Sequence, residues 1–259
     1  MLINSKPGLV LLLLLVFAVN LGETAWETSL HTESPVSAAD YKGAYAVQQF
    51  EPAFINFEFH DQTPQWAMYA YSLSYFVLFP VLAFGVLIAL ARRAELAPFR
   101  VLCLAVTADY LMSLPWFLLF PVPERWAYPE SNAILLSDQW SSTLINSIRP
   151  LSAINNSFPS THVSFTVILI FVCWLFHVRL RSTVTALLVT VILATFVLGI
   201  HWLADILAGI AVGALSVAIA WRWTDTSERL ELAQESEYPV IRKRARSVRQ
   251  LAEAGGMRF

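Results

Sequence analysis

Residues 149–162 read RPLSAINNSFPSTH, a polar run that separates two apolar segments of the chain. The run contains an arginine, several hydroxyl and amide side chains, and a histidine at its end. Ser160 is a good helix N-cap and the residues from Val163 onward are apolar, so we predict that a helix begins here. Its first peptide N–H groups and its dipole would face an anion beside His162. The run therefore predicts a phosphate site at the start of a helix.

The composition indicates a protein embedded in a bilayer. Hydrophobic residues make up 57% of the 259 residues and charged residues only 14%, whereas soluble domains carry about 25% charged residues. The net charge of −2 gives no reason to expect a nucleic-acid partner. Cys103 and Cys173 lie in apolar runs, where a free cysteine behaves as a small hydrophobic residue, and the sequence has no Cys/His cluster with zinc-site spacing. We expect no metal and no other cofactor.

Apolar runs predict an all-α polytopic membrane bundle of about six spans, since a span needs about 20 residues. The runs lie at 9–22, 65–91, 98–121, 163–178, 183–200 and 202–221. The first is short: it is either the apolar part of a cleaved signal peptide or, as we favour because no small-residue cleavage site follows, an anchor helix. The predicted units are a signal anchor or first span (1–26), an extracytoplasmic loop (27–64), a five-span catalytic core (65–222) and a charged cytoplasmic tail (223–259).

The basic residues orient this layout. They fall on one side of it, at Arg92, Arg93, Arg100, Arg179, Arg181 and in a cluster at 242–249. By the positive-inside rule this side is cytoplasmic. The polar run and His201 then lie together on the other side, because one pair of spans joins them. We expect a multi-pass protein of the cell membrane with an extracytoplasmic active site.

A second polar pair, His201 and Asp205, lies four residues apart at the start of a predicted helix and so shares one face. A carboxylate beside an imidazole fixes its tautomer and stabilises the cation that forms during a reaction. Such an imidazole can act as a general base or as a nucleophile toward phosphorus, and His162 can protonate a leaving oxygen. The candidates for holding the phosphate oxygens are Arg149, Ser160 and Thr161.

Each of these residues also has a structural explanation. His201 and Asp205 could be a hydrogen-bonded pair at a helix end, and His162 an interfacial polar residue. Arg149 could form a salt bridge with Asp138. The presence of both polar segments in one chain favours the catalytic interpretation.

Two segments carry a resemblance to a known family. Residues 156–162 (NSFPSTH) and 199–209 (GIHWLADILAG) resemble the second and third signatures of the type-2 phosphatidic acid phosphatase superfamily. Its members are six-span lipid phosphatases and phosphotransferases, and the resemblance covers about residues 115–215. The catalytic residues that it implies are His201 as the nucleophile that forms a phosphohistidine, Asp205 as its partner, and His162 as the acid for the leaving group.

The chain departs from the family pattern at two cationic positions. Ser142 stands where the family has a lysine, seven residues before Arg-Pro. Ala194 and Thr195 stand where it has Ser-Arg, so a phosphate-binding arginine is missing. The pattern is nearest to the branch of inositol-phosphorylceramide-synthase-like proteins, whose signatures also lack that arginine.

Arg125 is a candidate replacement cation for binding the phosphate. The alternative is a surface ion pair with Glu124 or Glu130. Two further expectations concern packing: Gly209 and Gly213 permit close approach of helices, and Asp109, deep in a span, makes a structural hydrogen bond with a Ser, Thr or Tyr.

Three functions remain open on the sequence. The first is a phosphatidic acid phosphatase-like hydrolase that cleaves a lipid-linked phosphate. The second is a lipid head-group phosphotransferase, and the third is a non-catalytic lipid-binding membrane protein. Loss of two cations weakens binding of a doubly charged monoester more than that of a singly charged diester, which favours diester chemistry. The expected partners are a lipid phosphate and the bilayer, and the sequence does not indicate an oligomeric state.

Overall fold

The computed structural model describes residues 2–30, 38–51, 63–137 and 153–224. Within these ranges the chain is an all-α bundle whose only extended pairing is an isolated bridge between Val122 and Asn156. The helices are α1 (Lys6–Leu30), α2 (Ala38–Gln48), α3 (Gln65–Ala91), α4 (Ala97–Leu119), α5 (Thr161–Leu175), α6 (Arg181–Val197) and α7 (Leu203–Arg222). Helix α3 contains a π-helical segment, Ser74–Leu78. The predicted fold class is confirmed.

The predicted spans from residue 65 onward correspond to α3–α7. Helices α1, α3, α4 and α7 are long and apolar enough to cross a membrane. Helices α5 and α6 are also apolar but have 15 and 17 residues, fewer than the ~20 that a span needs. The chain is a membrane protein, and the count of six spans stays a prediction.

Helix α1 is longer than the apolar run that predicted it. It continues past residues 9–22 and past the predicted unit boundary at residue 26. At its start, the Lys6 ammonium donates to the Arg93 carbonyl over 2.5 Å, and the Arg100 Nε–H donates to the Ile3 carbonyl over 2.9 Å. The beginning of α1 therefore lies among the basic residues of the other helices.

The two ends of the bundle differ in character. Helices α1, α4 and α6 end, and α3, α5 and α7 begin, at the end that holds a polar cavity, which we call the polar end. The other end, the basic end, carries Arg92 and Arg93 after α3, Arg100 in α4, Arg179 in the turn before α6 and Arg181 at the start of α6. Of the predicted tail only residues 223 and 224 are described, and residues 31–37 and 52–62 of the predicted loop 27–64 lie outside the described residues.

Small residues allow α7 to pack closely on α5, as predicted. A Cβ atom added at Gly209 would lie 2.6 Å from the Ser160 carbonyl oxygen, and one at Gly213 would lie 2.4 Å from that of Ser164. The buried Asp109 of α4 lies beside Ser164 of the same interface. A structural hydrogen bond of this acid stays a prediction.

Candidate active site

His201 lies in a fixed orientation just before α7. Its Nδ1 is 2.9 Å from the Ser157 hydroxyl and 3.3 Å from Asp205 Oδ2. The Ser157 hydroxyl donates to the same Asp205 oxygen over 2.6 Å, and the Trp202 peptide N–H donates to it over 2.9 Å. Asp205 is fully buried. A carboxylate with three such neighbours holds the proton of the imidazole on Nδ1, which leaves the lone pair on Nε2.

The Nε2 atom of His201 makes no hydrogen bond within the described part of the chain. His162, at the start of α5, lies across from it, with ring centroids 6.3 Å apart. The Nδ1 of His162 is 3.2 Å from the hydroxyl of Tyr75, whose ring lies 4.6 Å from the imidazole. Phe79 packs on the same imidazole at 5.2 Å. Two imidazoles thus face each other, each held through Nδ1.

Ser160 begins α5, as predicted from the sequence. Its hydroxyl accepts a hydrogen bond from the Val163 N–H over 3.3 Å, and its own peptide N–H donates to the Asp205 carbonyl over 3.2 Å. The N–H groups of Thr161 and His162 belong to the first turn, where no intrahelical acceptor exists. The start of α5 is therefore tied directly to the helix that carries Asp205.

A short backbone segment, residues 122–126, joins the two polar segments. On one side, Val122 and Glu124 donate to the carbonyls of residues 155 and 154, and the Ser157 N–H donates back to Val122. On the other side, the N–H groups of Arg125 and Trp126 donate to the carbonyls of residues 200 and 199. These hydrogen bonds fix the separation between the loop of Ser157 and the loop of His201.

The two histidines open into a cavity of about 210 Å³ at the polar end. Its described lining is Asn20, Thr24, Tyr75, Phe117, Glu124, Ala153, Asn156, Ser157, Thr161, His162 and His201. Helices α1, α3, α4 and α5 all contribute to this lining. No lysine or arginine is among these residues.

The predicted phosphate-binding residues have different placements. Thr161 lines the cavity, but Ser160 is fully buried, does not line it and uses its hydroxyl as the helix cap. Arg149 and its alternative partner Asp138 lie outside the described residues, as does Ser142. At the position of the missing signature arginine, Thr195 is buried, and its carbonyl accepts hydrogen bonds from the N–H groups of residues 200 and 201.

Arg125 is buried, so the predicted surface location of this residue is wrong. The side chain is 3% exposed, outside the described cavity lining, and its guanidinium lies 3.5 Å from Glu51. The other oxygen of Glu51 accepts the Leu203 N–H, at the start of α7, over 2.8 Å. Burial raises the pKa of the Glu51 carboxyl, although the Leu203 hydrogen bond and the charge of Arg125 lower it in part. Burial lowers the pKa of Arg125, although the charge of Glu51 raises it in part. The pair anchors the start of the helix that bears Asp205.

Helix α1 contacts the loop before α5 through two buried acids. The Asn156 amide donates to both carboxylate oxygens of Glu23, each over 2.8 Å. The Asn155 amide donates to Glu27 over 2.7 Å. Both carboxylates are 8% exposed. The loop that carries Ser157 is therefore held from outside by the first helix of the chain.

Several site residues were not predicted. Tyr75 is 8% exposed and contacts His162, and no pattern in the sequence indicated a role for it in the site. Its π-helical segment is a type of distortion that is frequent at functional sites, though apolar sequence patterns do not reveal it. Ser157 lies inside the quoted polar run and carried no assigned role. Asn20 and Thr24 could have been found as polar residues at helical spacing in an apolar segment.

Comparison with known proteins gave one match. The sequence model of the PAP2 superfamily matches residues 45–229, which is more than half of the chain. Searches of curated proteins and of solved structures returned no match. The matched range contains α3–α7 with both polar segments, whereas α1 precedes it.

Proposed function

Because the chain belongs to the PAP2 superfamily, a family of phosphatases and phosphotransferases, we propose that it is an integral membrane phosphoesterase acting on a lipid-linked phosphate through a phosphohistidine. The membership agrees with the two signatures read from the sequence. The observation that carries the proposed mechanism is the orientation of His201. Its Nδ1 is held by Ser157 and Asp205, while Nε2 has no hydrogen-bond partner among the described residues.

In the first step, Nε2 of His201 attacks phosphorus and the bond from phosphorus to the leaving alcohol oxygen breaks. Positive charge develops on the imidazole, and the adjacent carboxylate of Asp205 stabilises it. The Ser157 hydroxyl, which bridges the two, keeps the ring aligned. In the second step a water oxygen attacks phosphorus, the N–P bond breaks and inorganic phosphate or a phosphomonoester is released.

His162 is the proposed acid for the leaving oxygen. In its protonated form both ring nitrogens carry hydrogen, so Nδ1–H donates to the Tyr75 hydroxyl and Nε2–H is available to the leaving alcohol. The two imidazole centroids lie 6.3 Å apart, and both rings line the cavity in which we place the phosphoryl group. Protonation of the leaving group typically contributes about 10²–10⁴-fold to the rate.

For the phosphate oxygens, we propose Thr161 and the first peptide N–H groups of α5, together with Arg149 on the evidence of the sequence. Helix N-termini bind phosphate because their N–H groups lack intrahelical acceptors. Ser160 and Arg125 are left out of this set, because the Ser160 hydroxyl caps α5 and the buried Arg125 guanidinium lies beside Glu51, outside the described cavity lining. The basic end of the bundle is proposed to be cytoplasmic and the cavity extracytoplasmic.

The test is to trap the intermediate. Purified protein given a short-chain phosphatidic acid labelled with ³²P should acquire an alkali-stable, acid-labile label. His201→Ala should abolish both label and turnover. His162→Ala should lower turnover of the lipid about 10²–10⁴-fold but much less that of p-nitrophenyl phosphate, whose leaving group needs no proton. The matched control is His177→Asn, at an exposed histidine of the basic end with φ 48°, which should behave as the wild type.

A head-group phosphotransferase is the second candidate, in the manner of inositol-phosphorylceramide-synthase-like enzymes. The supporting observation is that no lysine or arginine is among the described lining residues, which suits a singly charged diester better than a doubly charged monoester. In this reaction the hydroxyl of a second alcohol, rather than water, attacks phosphorus in the second step. Release of inorganic phosphate from phosphatidic acid would support the hydrolase, and dependence on an added alcohol would support transfer. If wild-type protein neither turns over nor acquires label, the non-catalytic lipid-binding reading is favoured.

A further inference from the structure

Four polar residues follow one another along a single face of α1, near its end: Asn20, Glu23, Thr24 and Glu27. Their spacing of i, i+3, i+4 and i+7 places them on one side of the helix. Other side chains of the helix, such as Phe17 and Val19, are 55% and 44% exposed, as expected for residues that face lipid. Polar groups in an apolar segment are costly unless they have partners or a function.

The four residues divide into two pairs with different surroundings. Glu23 and Glu27 are occupied by the amides of Asn156 and Asn155. Asn20 and Thr24 line the same cavity as His162 and His201. The first pair attaches α1 to the loop before α5, and the second pair forms part of the cavity wall.

We propose that α1 completes the substrate cavity and that Asn20 and Thr24, with Glu124, select the alcohol part of the substrate. We call these three residues the head-group wall. The inference rests on the proposed function, because it assigns one side of the same cavity to the alcohol bonded to phosphorus. Helix α1 precedes the range matched by the family, so two residues of the wall, Asn20 and Thr24, come from outside the matched range, and Glu124 comes from within it.

The chemistry of the wall defines the class of head group. A carboxylate only accepts hydrogen bonds, whereas a hydroxyl and an amide can both donate and accept. Glu124 is half-buried in the cavity lining, and one of its carboxylate oxygens accepts a hydrogen bond from the Trp126 indole N–H. Its negative charge repels a phosphate dianion and attracts a donor. The head-group wall therefore favours a phosphodiester whose alcohol carries hydroxyl or ammonium donors over a bare phosphomonoester.

The experiment compares lipids that differ only in these donors. Wild-type protein in mixed micelles is given phosphatidylglycerol, phosphatidylethanolamine or phosphatidylmethanol, whose head group has no donor, and kcat/KM is measured for each. The wild type should have a higher kcat/KM for phosphatidylglycerol or for phosphatidylethanolamine than for phosphatidylmethanol. Preference for phosphatidylglycerol identifies hydroxyl as the recognised donor, and preference for phosphatidylethanolamine identifies ammonium. Thr24→Val and Asn20→Ala should each lower the preference about 3- to 10-fold, the effect of one hydrogen bond.

One control and one further variant of the head-group wall complete the experiment. Val19→Ala changes a lipid-facing side chain of the same helix and should leave the preference unchanged. Glu124→Gln keeps the shape of the side chain but removes its charge, and should reduce discrimination against phosphatidic acid. Unchanged preference in both α1 variants, with normal thermal unfolding, would overturn the head-group wall while leaving the proposed function intact. Loss of the proposed function itself would appear differently, as absence of turnover and of phosphohistidine in the wild type.

Discussion

At the scale of single residues, the site depends on how buried polar atoms share partners. Asp205 Oδ2 faces a hydroxyl, a peptide N–H and an imidazole within 3.3 Å. Burial of a carboxylate is tolerated when such groups surround it. Ser157 belongs to this set, although its residue type is common and no role was assigned to it within the signature at residues 156–162. Its hydroxyl links Asp205 to His201 and thereby positions the nucleophile rather than reacting itself.

The role of Ser157 can be measured. Ser157→Ala should lower kcat about 10- to 100-fold with little change in KM, because a hydrogen bond to a charged group contributes about 1.5–3 kcal/mol and the ring would lose its alignment. Ser157→Thr keeps the hydroxyl and should recover much of the rate. The matched control, Ser216→Ala, removes a buried hydroxyl that bonds only the carbonyl of Val212 in its own helix, and should retain activity. Equal losses in kcat for Ser157→Ala and for the control would contradict the positioning role.

At the scale of helices, the sequence anticipated most of the elements. Apolar runs are long in a membrane protein, so the ends of the predicted runs lie within a few residues of the ends of helices α3–α7. The two histidines lie at the same end, as expected, because the pair of helices between them, α5 and α6, returns the chain to that end. Three arrangements were not predicted from the sequence. They are the backbone hydrogen bonds of segment 122–126, the burial of Arg125 against Glu51, and the packing of α1 on the loop before α5. Backbone hydrogen bonds leave no pattern in side chains, and ion pairs between distant residues have no fixed spacing.

The close packing of α7 on α5 gives a prediction about stability. At Gly213, a methyl group would meet a backbone carbonyl oxygen at 2.4 Å, which no side-chain movement can relieve. Gly213→Ala should therefore destabilise the protein by about 1–3 kcal/mol, as overpacking does. Gly85→Ala, in the last part of α3, is the control, because nothing lies within 4 Å of the added atom. This variant should be neutral or up to about 1 kcal/mol more stable, since alanine favours helix.

Thermal unfolding in detergent distinguishes the two glycine variants. Activity is the second measurement, because Gly209 packs against the carbonyl of Ser160, immediately before the helix that carries His162. Gly209→Ala should lower turnover as well as stability. Equal melting temperatures for Gly213→Ala and Gly85→Ala would mean that α5 and α7 are farther apart in the membrane than described here.

At the scale of the whole molecule, the two ends carry different chemistry. The polar end holds the cavity, both histidines and acidic side chains that include Glu23, Glu27, Glu51, Glu124 and Asp205. The basic end holds Lys6 and the arginines that flank α3, α4 and α6. Lys6 of α1 lies at the same end as the arginines of the other helices, so it adds to the excess of basic residues at that end. Because lysine and arginine concentrate in cytoplasmic segments, the difference predicts which end faces the cytoplasm.

This orientation can be tested with a matched pair of single cysteines. Cys103 and Cys173 are fully buried and should not react with a bulky maleimide. Glu130→Cys places an exposed thiol at the polar end, and Glu95→Cys places one in the turn between α3 and α4 at the basic end. In intact cells, a membrane-impermeant maleimide should label Glu130→Cys, whereas Glu95→Cys should react only after lysis. The reverse pattern would put the cavity on the cytoplasmic side, and the lipid phosphate would then have to reach His201 from the inner leaflet.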